Sequence, residues 1–305
     1  MKNPDMSVKI GPLVLKNPVM TASGTFGYGL ELKNFCPPDQ LGAVITKGVS
    51  LTPWPGNESP RMAEAPAGLI NAIGLENMGV EAFIQKALPP LKAAGATVVA
   101  NILGHSPDDY GELAARLAGT DVDMLEVNVS CPNVACGGLS FGARPAMVAE
   151  VAALVGRNCG GKPFMVKLTP QTADVVEVAL AAQEAGATAV SLINTIPALA
   201  VDLASRRPRL ANVVGGLSGP AVKPVALKQV WQCASALKIP VVGIGGICSA
   251  LDALEFILVG ATAVEVGTAT LADPRTPMKI IEGISQWMIK EGMDDLSQLR
   301  GSLKA

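Results

Sequence analysis

The sequence lacks several features that mark particular classes of protein. Only 4% of its 305 residues are aromatic, it has one histidine, His105, and none of its six cysteines forms a CxxC pair. Without CxxC or His/carboxylate spacings no metal site is expected. A Ser-His-Asp site would depend on His105 alone, which disfavours a hydrolase, and we interpret His105 as a loop or helix-capping residue.

Charge and hydropathy exclude further partners. Lys and Arg total 24 against 26 Asp and Glu, which leaves no basic face for nucleic acid and no polybasic membrane anchor. The first residues lack the apolar segment of a signal peptide, and the long uncharged run at residues 185–201 is interrupted by Asn194 and Pro197. We therefore expect a cytoplasmic protein with no nucleic-acid or membrane partner and a small neutral or anionic ligand.

The sequence does contain an eightfold alternation of apolar, β-rich runs with helix-period stretches. The runs begin at Pro18, Ala43, Thr97, Met124, Phe164, Ala189, Pro240 and Ala263. One helical stretch has Ser106 as its N-cap, and another is predicted to be capped by Thr172 and to end at Gly186. Apolar strands separated by amphipathic helices are typical of a parallel sheet covered by helices. Eight units with no second sheet pattern predict an α/β fold, a (β/α)8 TIM barrel forming a single domain over residues 1–305.

A doubly wound sheet is the alternative fold, but its GxGxxG motif is missing after the first run, where "ASGTFGYG" has the wrong spacing. The segment "VKIGPLVLKNP" predicts an N-terminal β-hairpin ahead of the barrel. Two long connections, residues 49–96 and 195–239, are expected to build the active-site face, because long loops on a barrel commonly do so.

Polar residues and glycines occupy the predicted strand ends, where barrels of this kind carry their chemistry. They are Ser23, Gly24, Lys47, Gly48, Asn101, Asn128, Ser130, Cys131, Lys167, Thr169, Asn194, Thr195, Gly245, Gly246, Gly267 and Thr268. The glycines of the last two strands predict a phosphate cradle, to which Gly219 would add a donor. The alternative is that these glycines only form tight turns.

Three of these side chains have unusual surroundings. Lys47 and Lys167 stand in apolar strands, so each is expected to have an anionic partner, unless its side chain extends past the strand end to solvent. Cys131 is either an inert buried thiol or a base. Its place beyond a strand end, beside asparagines and before a Gly-rich segment able to cover the site, favours the base.

Eight motifs, in this order and spacing, resemble the class 1 dihydroorotate dehydrogenases, which are FMN-containing barrel enzymes of pyrimidine biosynthesis. They are "ASGTFGYG" (22–29), "ITKGVS" (45–50), "NAIGLEN" (71–77), "NVSCPNV" (128–134), "VKLTP" (166–170), "INT" (193–195), "GGLSGPAVKP" (215–224) and "GIGGI" (243–247). Residues 52–77 and "GGLSFG" (137–142) are more similar to the NAD-linked 1B branch than to the fumarate-using 1A homodimers. Class 2 enzymes have Ser in place of Cys131. Glu76 departs from the commoner Gln, and Cys136 lies in the loop that would cover the site.

The resemblance implies oxidation of dihydroorotate to orotate with FMN as hydride acceptor. Cys131 would take the proton from C5 while hydride leaves C6, Lys167 would stabilise charge near N1 of the flavin, and Lys47 would contact both ligands. The implied substrate-binding residues are Lys47, Asn71, Ala72, Ile73, Gly74, Leu75, Asn128, Asn194 and Thr195. The implied FMN-binding residues are Ser23, Lys47, Gly48, Asn101, Asn128, Lys167, Ile193, Gly219, Gly245, Gly246, Gly267 and Thr268.

The 1B branch implies a partner subunit that carries FAD and a 2Fe–2S cluster and passes electrons to NAD, in a heterotetramer of two catalytic and two electron-transfer subunits. Two readings from the residues alone remain as alternatives. One is a Schiff-base aldolase with Lys47 or Lys167 as nucleophile, and the other is a barrel that serves only as a scaffold or ligand-binding module. The many polar strand ends disfavour the second, because buried polar groups are costly to keep without a function.

Overall fold

Sixteen strands and nine helices are found in the computed structural model, which describes residues 4–130 and 141–304. The strands are β1 Val8–Ile10, β2 Leu13–Leu15, β3 Val19–Thr21, β4 Val44–Ile45, β5 Met62–Ala65, β6 Gly68–Asn71, β7 Val98–Ile102, β8 Met124–Asn128, β9 Phe164–Lys167, β10 Ala189–Leu192, β11 Ile196–Leu199, β12 Val201–Asp202, β13 Arg207–Pro208, β14 Val214–Ser218, β15 Val241–Ile244 and β16 Ala263–Val266. The helices are α1 Val80–Ala82, α2 Leu88–Ala93, α3 Pro107–Ala118, α4 Pro145–Asn158, α5 Val175–Glu184, α6 Lys223–Ala236, α7 Ala250–Leu258, α8 Ala269–Ala272 and α9 Thr276–Glu291. None of these helices combines the length and hydropathy needed to span a bilayer.

Eight parallel strands form the central barrel, in the order β3, β16, β15, β10, β9, β8, β7 and β4. The two end strands are joined by a parallel bridge between Met20 and Ala43, supported by the Gly42 N–H, which donates to the carbonyl of Val19 at 2.8 Å. Each barrel strand is buried along its whole length, as expected for a parallel sheet covered by helices. The predicted (β/α)8 barrel and its eight strand positions are confirmed.

The interior is filled mainly by aliphatic side chains, in keeping with the low aromatic content. Val, Ile, Leu and Ala of the strands and of the inner helix faces form one continuous buried cluster. The largest fully buried rings are Tyr110, Phe26, Phe83 and Phe256. Short aliphatic side chains allow strands and helices to approach closely and so give the barrel a densely packed frame.

Local signals in the sequence set the start of several helices. Ser106 caps α3 in a capping box with Asp109, in which each side chain accepts from the other residue's backbone N–H, as predicted. The predicted cap at Thr172 is wrong. Asp174 caps α5 instead, because its carboxylate accepts from the N–H groups of Val176 and Glu177 at 2.8 and 3.4 Å.

A second sheet lies outside the barrel, contrary to the expectation that there is none. Strands β11, β14, β6 and β5 pair antiparallel in that order, and β1 and β2 form the predicted hairpin. The pairing of β6 with β14, in which Asn71 faces Gly216, joins the two long connections to each other. The four-stranded sheet therefore holds both connections in place, with a small apolar cluster of its own around Ile70 and Leu210.

Candidate active site

The carboxyl ends of the eight barrel strands meet at one rim, because the strands are parallel and adjacent. Lys167 is the last residue of β9 and Asn128 is the last residue of β8, and Ser23, Lys47 and Asn194 follow β3, β4 and β10. The residues predicted from the sequence as strand-end groups are thus brought to one place by the fold.

Three charged residues form a buried triad inside the barrel, close to the rim: Glu126, Lys167 and Glu265. The Nζ of Lys167 lies 3.3 Å from Oε2 of Glu265 and 3.6 Å from Oε2 of Glu126. The exposed fraction of the lysine side chain is 4%, and that of both carboxyl side chains is 0%. The anionic partner expected for Lys167 is confirmed, and the barrel itself supplies it.

The triad keeps Lys167 in its ammonium form. Burial alone would lower the pKa of Lys167, but attraction to Glu126 and Glu265 outweighs it and raises the pKa above the ordinary value. A Schiff-base nucleophile must be a neutral amine, and such lysines commonly have a depressed pKa. Lys167 is therefore a fixed positive charge and is unsuited to the nucleophile role of the aldolase alternative.

Two residues predicted to contact the cofactor reach the triad. Asn101 Nδ2 donates to Oε2 of Glu126 at 2.6 Å, and Lys167 donates to Oγ of Ser23 at 3.3 Å. Ser191, inside β10, donates to Oε1 of Glu126 at 2.7 Å. Each of these bonds satisfies a group that would be costly to bury alone, so the triad and its neighbours form one polar network.

An amide pair lies beside this network. Nδ2 of Asn194 donates to Oδ1 of Asn128 at 3.1 Å and to Oγ of Ser130 at 2.8 Å. Oδ1 of Asn194 accepts from the Thr195 N–H at 2.8 Å, and the Asn128 carbonyl accepts from the Tyr110 hydroxyl at 2.8 Å. These bonds fix the direction of both amides, which were predicted from different strands as substrate-binding residues.

The loop of residues 71–75, predicted to bind the substrate, is anchored by Asn57. The sequence analysis did not single out Asn57. Its N–H donates to the carbonyl of Ile73 and its Nδ2 donates to the carbonyl of Ala72, both at 3.0 Å. The loop turns through left-handed conformations at Gly74 and Leu75, with φ of +76° and +56°. A side chain at Gly74 would place its Cβ 2.5 Å from the backbone nitrogen of Asn57, so this turn requires glycine.

The same loop is connected to the second sheet and to an ion pair. Asn71, the last residue of β6, donates from Nδ2 to the carbonyl of Gly216 at 3.4 Å. A Cβ at Gly216 would lie 2.1 Å from Oγ1 of Thr195, so Thr195 packs directly on β14. Glu76, the departure noted in the sequence, binds Arg61 at 2.6 Å. The ion pair with Arg61 thus explains why position 76 carries an acidic residue.

The glycines after β15 and β16 form two adjacent turns at the rim, beside β14, where Thr268 donates to the hydroxyl of Ser218 at 2.7 Å. Gly245 and Gly246 have φ of +118° and +80°. The backbone N–H groups of Gly245, Gly246, Gly267 and Thr268 donate no hydrogen bond to any described residue. Backbone N–H groups without a described partner, at two neighbouring strand ends, are suited to bind an anion. These four groups therefore fit the predicted phosphate cradle. The carbonyl of Gly219, with φ of +97°, lies against Gly246 in the same turn.

Lys47 differs from Lys167 in having no partner in the described part of the chain. It is half-buried, and within residues 4–130 and 141–304 its ammonium makes no hydrogen bond or ion pair. The anionic partner expected for Lys47 is thus not supplied by the described residues.

Two further residues predicted to bind the cofactor are packed in the barrel. Gly48 packs against Leu103, and a Cβ at Gly48 would come within 2.3 Å of Cδ2 of Leu103. Ile193 is buried, its N–H donates to the carbonyl of Ile244 at 2.8 Å, and the peptide bond before it is cis.

Cys131, the predicted base, and Cys136 lie outside the described residues. Val129 precedes residues 131–140 and Gly142 follows them, and the N–H of Gly142 donates to the carbonyl of Val129 at 2.8 Å. Val129 and Gly142 are therefore held together at the rim, next to Ser130 and the amide pair. The role of Cys131 remains a prediction.

His105 occupies the loop position expected of it. Its backbone N–H donates to Oδ2 of Asp109 at 2.7 Å, at the start of α3, and its ring stacks on Trp54 with centroids 4.1 Å apart. No carboxylate among the described residues pairs with the ring. His105, predicted to be a loop or helix-capping residue, is confirmed as a loop residue, and the cap of α3 is Ser106.

The sequence analysis missed Glu126 and Glu265, which complete the triad. The signal was present, because each interrupts an apolar strand run, "MLEVN" and "AVEV", as Lys167 does in "FMVK". A buried carboxyl needs a partner as a buried lysine does, so the same argument marks both acids as unusual. It does not pair Glu265 with Lys167, because β15 and β10 lie between β16 and β9 in the barrel.

The barrel and its rim define an enzyme of the (β/α)8 class whose polar groups gather at the carboxyl ends of the strands. A family model for dihydroorotate dehydrogenase matches residues 5–288. Relatives named "dihydroorotate dehydrogenase B (NAD(+)), catalytic subunit" are similar over nearly the whole length. The relative from Trichlorobacter lovleyi is 55% identical over 99% of both chains, and that from Geotalea daltonii is 52% identical over 100% of both. One from Alkaliphilus oremlandii is 48% identical over 99% of this chain and 100% of its own.

The chain belongs to the dihydroorotate dehydrogenase family, whose members are oxidoreductases. The resemblance seen in the sequence is thereby confirmed, and the names of these relatives are those of the NAD-linked branch.

Proposed function

We propose that this chain oxidises dihydroorotate to orotate in pyrimidine (UMP) biosynthesis, with FMN as cofactor and with electrons passed to NAD through a partner subunit. The observation that carries the proposal is the composition of the rim. A permanent ammonium, a fixed amide pair and a glycine turn whose N–H groups have no described partner lie at one rim, in a chain 55% identical to a relative named as an NAD-linked catalytic subunit.

The residues at the rim fit FMN. The unpaired N–H groups of the β15 and β16 turns suit its phosphate, and Ser23 and Asn101 lie near the ammonium of Lys167, where the ring system would be placed. Bound FMN would supply the hydride acceptor. Lys167 holds a positive charge next to that position, which favours the negative charge that arrives on reduction.

The remaining roles fall to the residues around the amide pair. Asn128 and Asn194 carry both donor and acceptor groups, which match the imide edge of a pyrimidine, with Thr195 and the loop from Asn71 to Leu75 completing the pocket. Lys47 has no partner among the residues that the structure describes and is suited to the substrate carboxylate and to the cofactor. Cys131 would remove the proton from C5 of the substrate.

The central experiment is an anaerobic absorbance measurement on the purified protein. We expect a flavin spectrum that bleaches when dihydroorotate is added, because hydride transfer reduces the cofactor. A protein that binds no flavin, or one whose flavin stays oxidised with excess dihydroorotate while dithionite reduces it, would contradict the proposal.

The electron acceptor gives a second prediction. We expect the isolated chain to reduce artificial acceptors with dihydroorotate but not NAD, because the proposed FAD and 2Fe–2S groups belong to the partner. Adding the co-purified partner should establish NAD reduction, and the complex should have the mass of two chains of each kind. Efficient NAD reduction by the isolated chain would refute the two-subunit proposal, and fumarate turnover at a comparable rate would favour the 1A alternative.

The phosphate cradle gives a third prediction, which uses Gly246→Ala. A Cβ at Gly246 would lie 2.7 Å from Cβ of Lys223, and the φ of +80° costs a non-glycine residue about 1–2 kcal/mol. If that strain displaces the turn, FMN affinity should fall roughly tenfold. Gly186→Ala is the matched control, because Gly186 has φ of +94° but no atom within 4 Å of its Cβ position. Equal FMN dissociation constants for wild type and Gly246→Ala, by fluorescence titration, would refute the assignment.

A further inference from the structure

The buried triad has more acid than it has base. Lys167 contributes one positive charge, and Glu126 and Glu265 contribute two carboxyl groups, all shielded from solvent. If both carboxyls were ionised, the triad would hold a net negative charge inside the barrel, with two like charges around one ammonium. Carboxyls that share a buried site in this way do not both ionise near neutral pH, because desolvation and mutual repulsion oppose the second charge.

The hydrogen bonds show which carboxyl is ionised. Glu126 accepts from Asn101 at 2.6 Å and from Ser191 at 2.7 Å, in addition to facing Lys167. Glu265 accepts only from Lys167, and its Oε1 is buried without a hydrogen-bond partner among the described residues. Since donated hydrogen bonds stabilise the charged form of a carboxyl, Glu126 is the better anion.

Among residues 4–130 and 141–304, no other charge compensates Glu265. The strands that flank it in the barrel, β3 and β15, read "VMT" and "VVGI" and carry no titratable residue. On α7, which packs outside β16, the acids Asp252 and Glu255 pair with Lys223 at the surface. Burial, followed by repulsion from Glu126, raises the pKa of Glu265 well above its ordinary value, and attraction to Lys167 does not reverse this.

We propose that Glu126 and Glu265 hold one proton between them at neutral pH, carried on Glu265, so that the triad is electrically neutral beneath the cofactor site. Glu265 is then a positioning residue that acts through Lys167. With the proton in place, one carboxylate balances the ammonium. Without it, the triad becomes negative and opposes the charge that the cofactor gains on reduction. The consequence for the cofactor rests on the proposed function, whereas the proton itself does not.

Infrared spectroscopy of the protein as purified tests the proton directly. We expect the C=O stretching band of a buried, protonated carboxylic acid at pH 7, shifted on exchange into D2O and absent from Glu265→Gln. Glu126→Gln should lose the same band, because Glu265 would then ionise as the sole partner of Lys167. If the wild type lacks this band, or if folded Glu265→Gln retains it, the proposal is overturned. Either variant suffices if the other does not fold.

The location of the proton is tested by comparing the two variants. Glu265→Gln replaces a neutral group by a neutral group of the same shape, so it should lower the midpoint of thermal unfolding at pH 7 less than Glu126→Gln, which removes an anion bonded by Asn101 and Ser191. The reverse order would place the proton on Glu126 and overturn the assignment to Glu265.

The reduction potential of the bound flavin tests the consequence. At pH 7, Glu265→Gln and wild type should have the same potential. At alkaline pH, loss of the proton should shift the wild-type equilibrium toward oxidised flavin by at least about tenfold, about 30 mV for a two-electron couple, and the variant should lack this shift. Parallel pH profiles for the two proteins would refute the link to the cofactor. A protein that bound no flavin would refute the proposed function alone, since the infrared result decides the proton independently.

Discussion

Cys131→Ala is expected to slow the reduction of bound flavin by dihydroorotate by roughly 10²-fold or more, the range for loss of a general base. In the sequence Cys131 directly follows Ser130, whose hydroxyl accepts from Asn194 beside Asn128. FMN should remain bound, because the residues proposed to hold it are unchanged and all but Asn128 lie on other strands. Stopped-flow reduction under anaerobic conditions measures the effect, and the flavin absorbance of the purified variant measures retention of the cofactor.

Two matched controls separate a loss of the base from a general effect of removing a thiol. Cys136→Ala changes a second cysteine in the same segment, and Cys248→Ala removes an exposed free thiol beside the glycine turn. Both should reduce their flavin at the wild-type rate. A Cys131→Ala protein that keeps FMN and is reduced at an unchanged rate would show that another group takes the proton.

The barrel could be predicted because its elements are determined by local patterns. Each barrel strand is buried on both faces, so it reads as a continuous apolar run, and most runs are followed by a helical period, although no α-helix lies between β3 and β4. The four-stranded sheet could not be predicted in the same way. Its strands include "GLIN" and "VGGLS", which are short, rich in glycine and partly exposed. They are strands only because two distant connections pair with each other, and no local signal records that pairing.

The candidate site could likewise be predicted only where local patterns mark its residues. Lys167, Asn128 and Asn194 were identifiable because polar residues at the ends of apolar strands are unusual. Their partners were not assigned, because which side chains meet inside a barrel depends on the stagger of the strands. The partner of Lys167 was expected, but Glu126 and Glu265 were not named. The helix cap at Asp174 was missed because Thr172, two residues earlier, is an equally acceptable capping residue.

Lys167→Met is expected to destabilise the folded protein by about 3–5 kcal/mol at pH 8, because removal of one partner leaves an uncompensated charge in the interior. Lys223→Met is the matched control. Lys223 also pairs with two acids, Asp252 at 2.5 Å and Glu255 at 2.8 Å, but its side chain is 24% exposed. Solvent screens such a pair, so its loss should cost about 0–1 kcal/mol. Urea unfolding of both variants and of wild type, followed by circular dichroism, measures the difference.

The pH dependence of the same variant identifies the cause. Without the ammonium, no described cation offsets the burial of the two carboxyls, so the folded Lys167→Met protein retains protons on the pair that the wild type releases. The folded state of Lys167→Met is therefore most stable relative to the unfolded state below the unfolded glutamate pKa of about 4.3, and this stability is lost as the pH rises. The gap between wild type and Lys167→Met should accordingly widen from pH 5 to pH 8, whereas that for Lys223→Met should stay small. A gap for Lys167→Met that is the same at both pH values would mean that lost packing, and not the unpaired carboxyls, causes the instability.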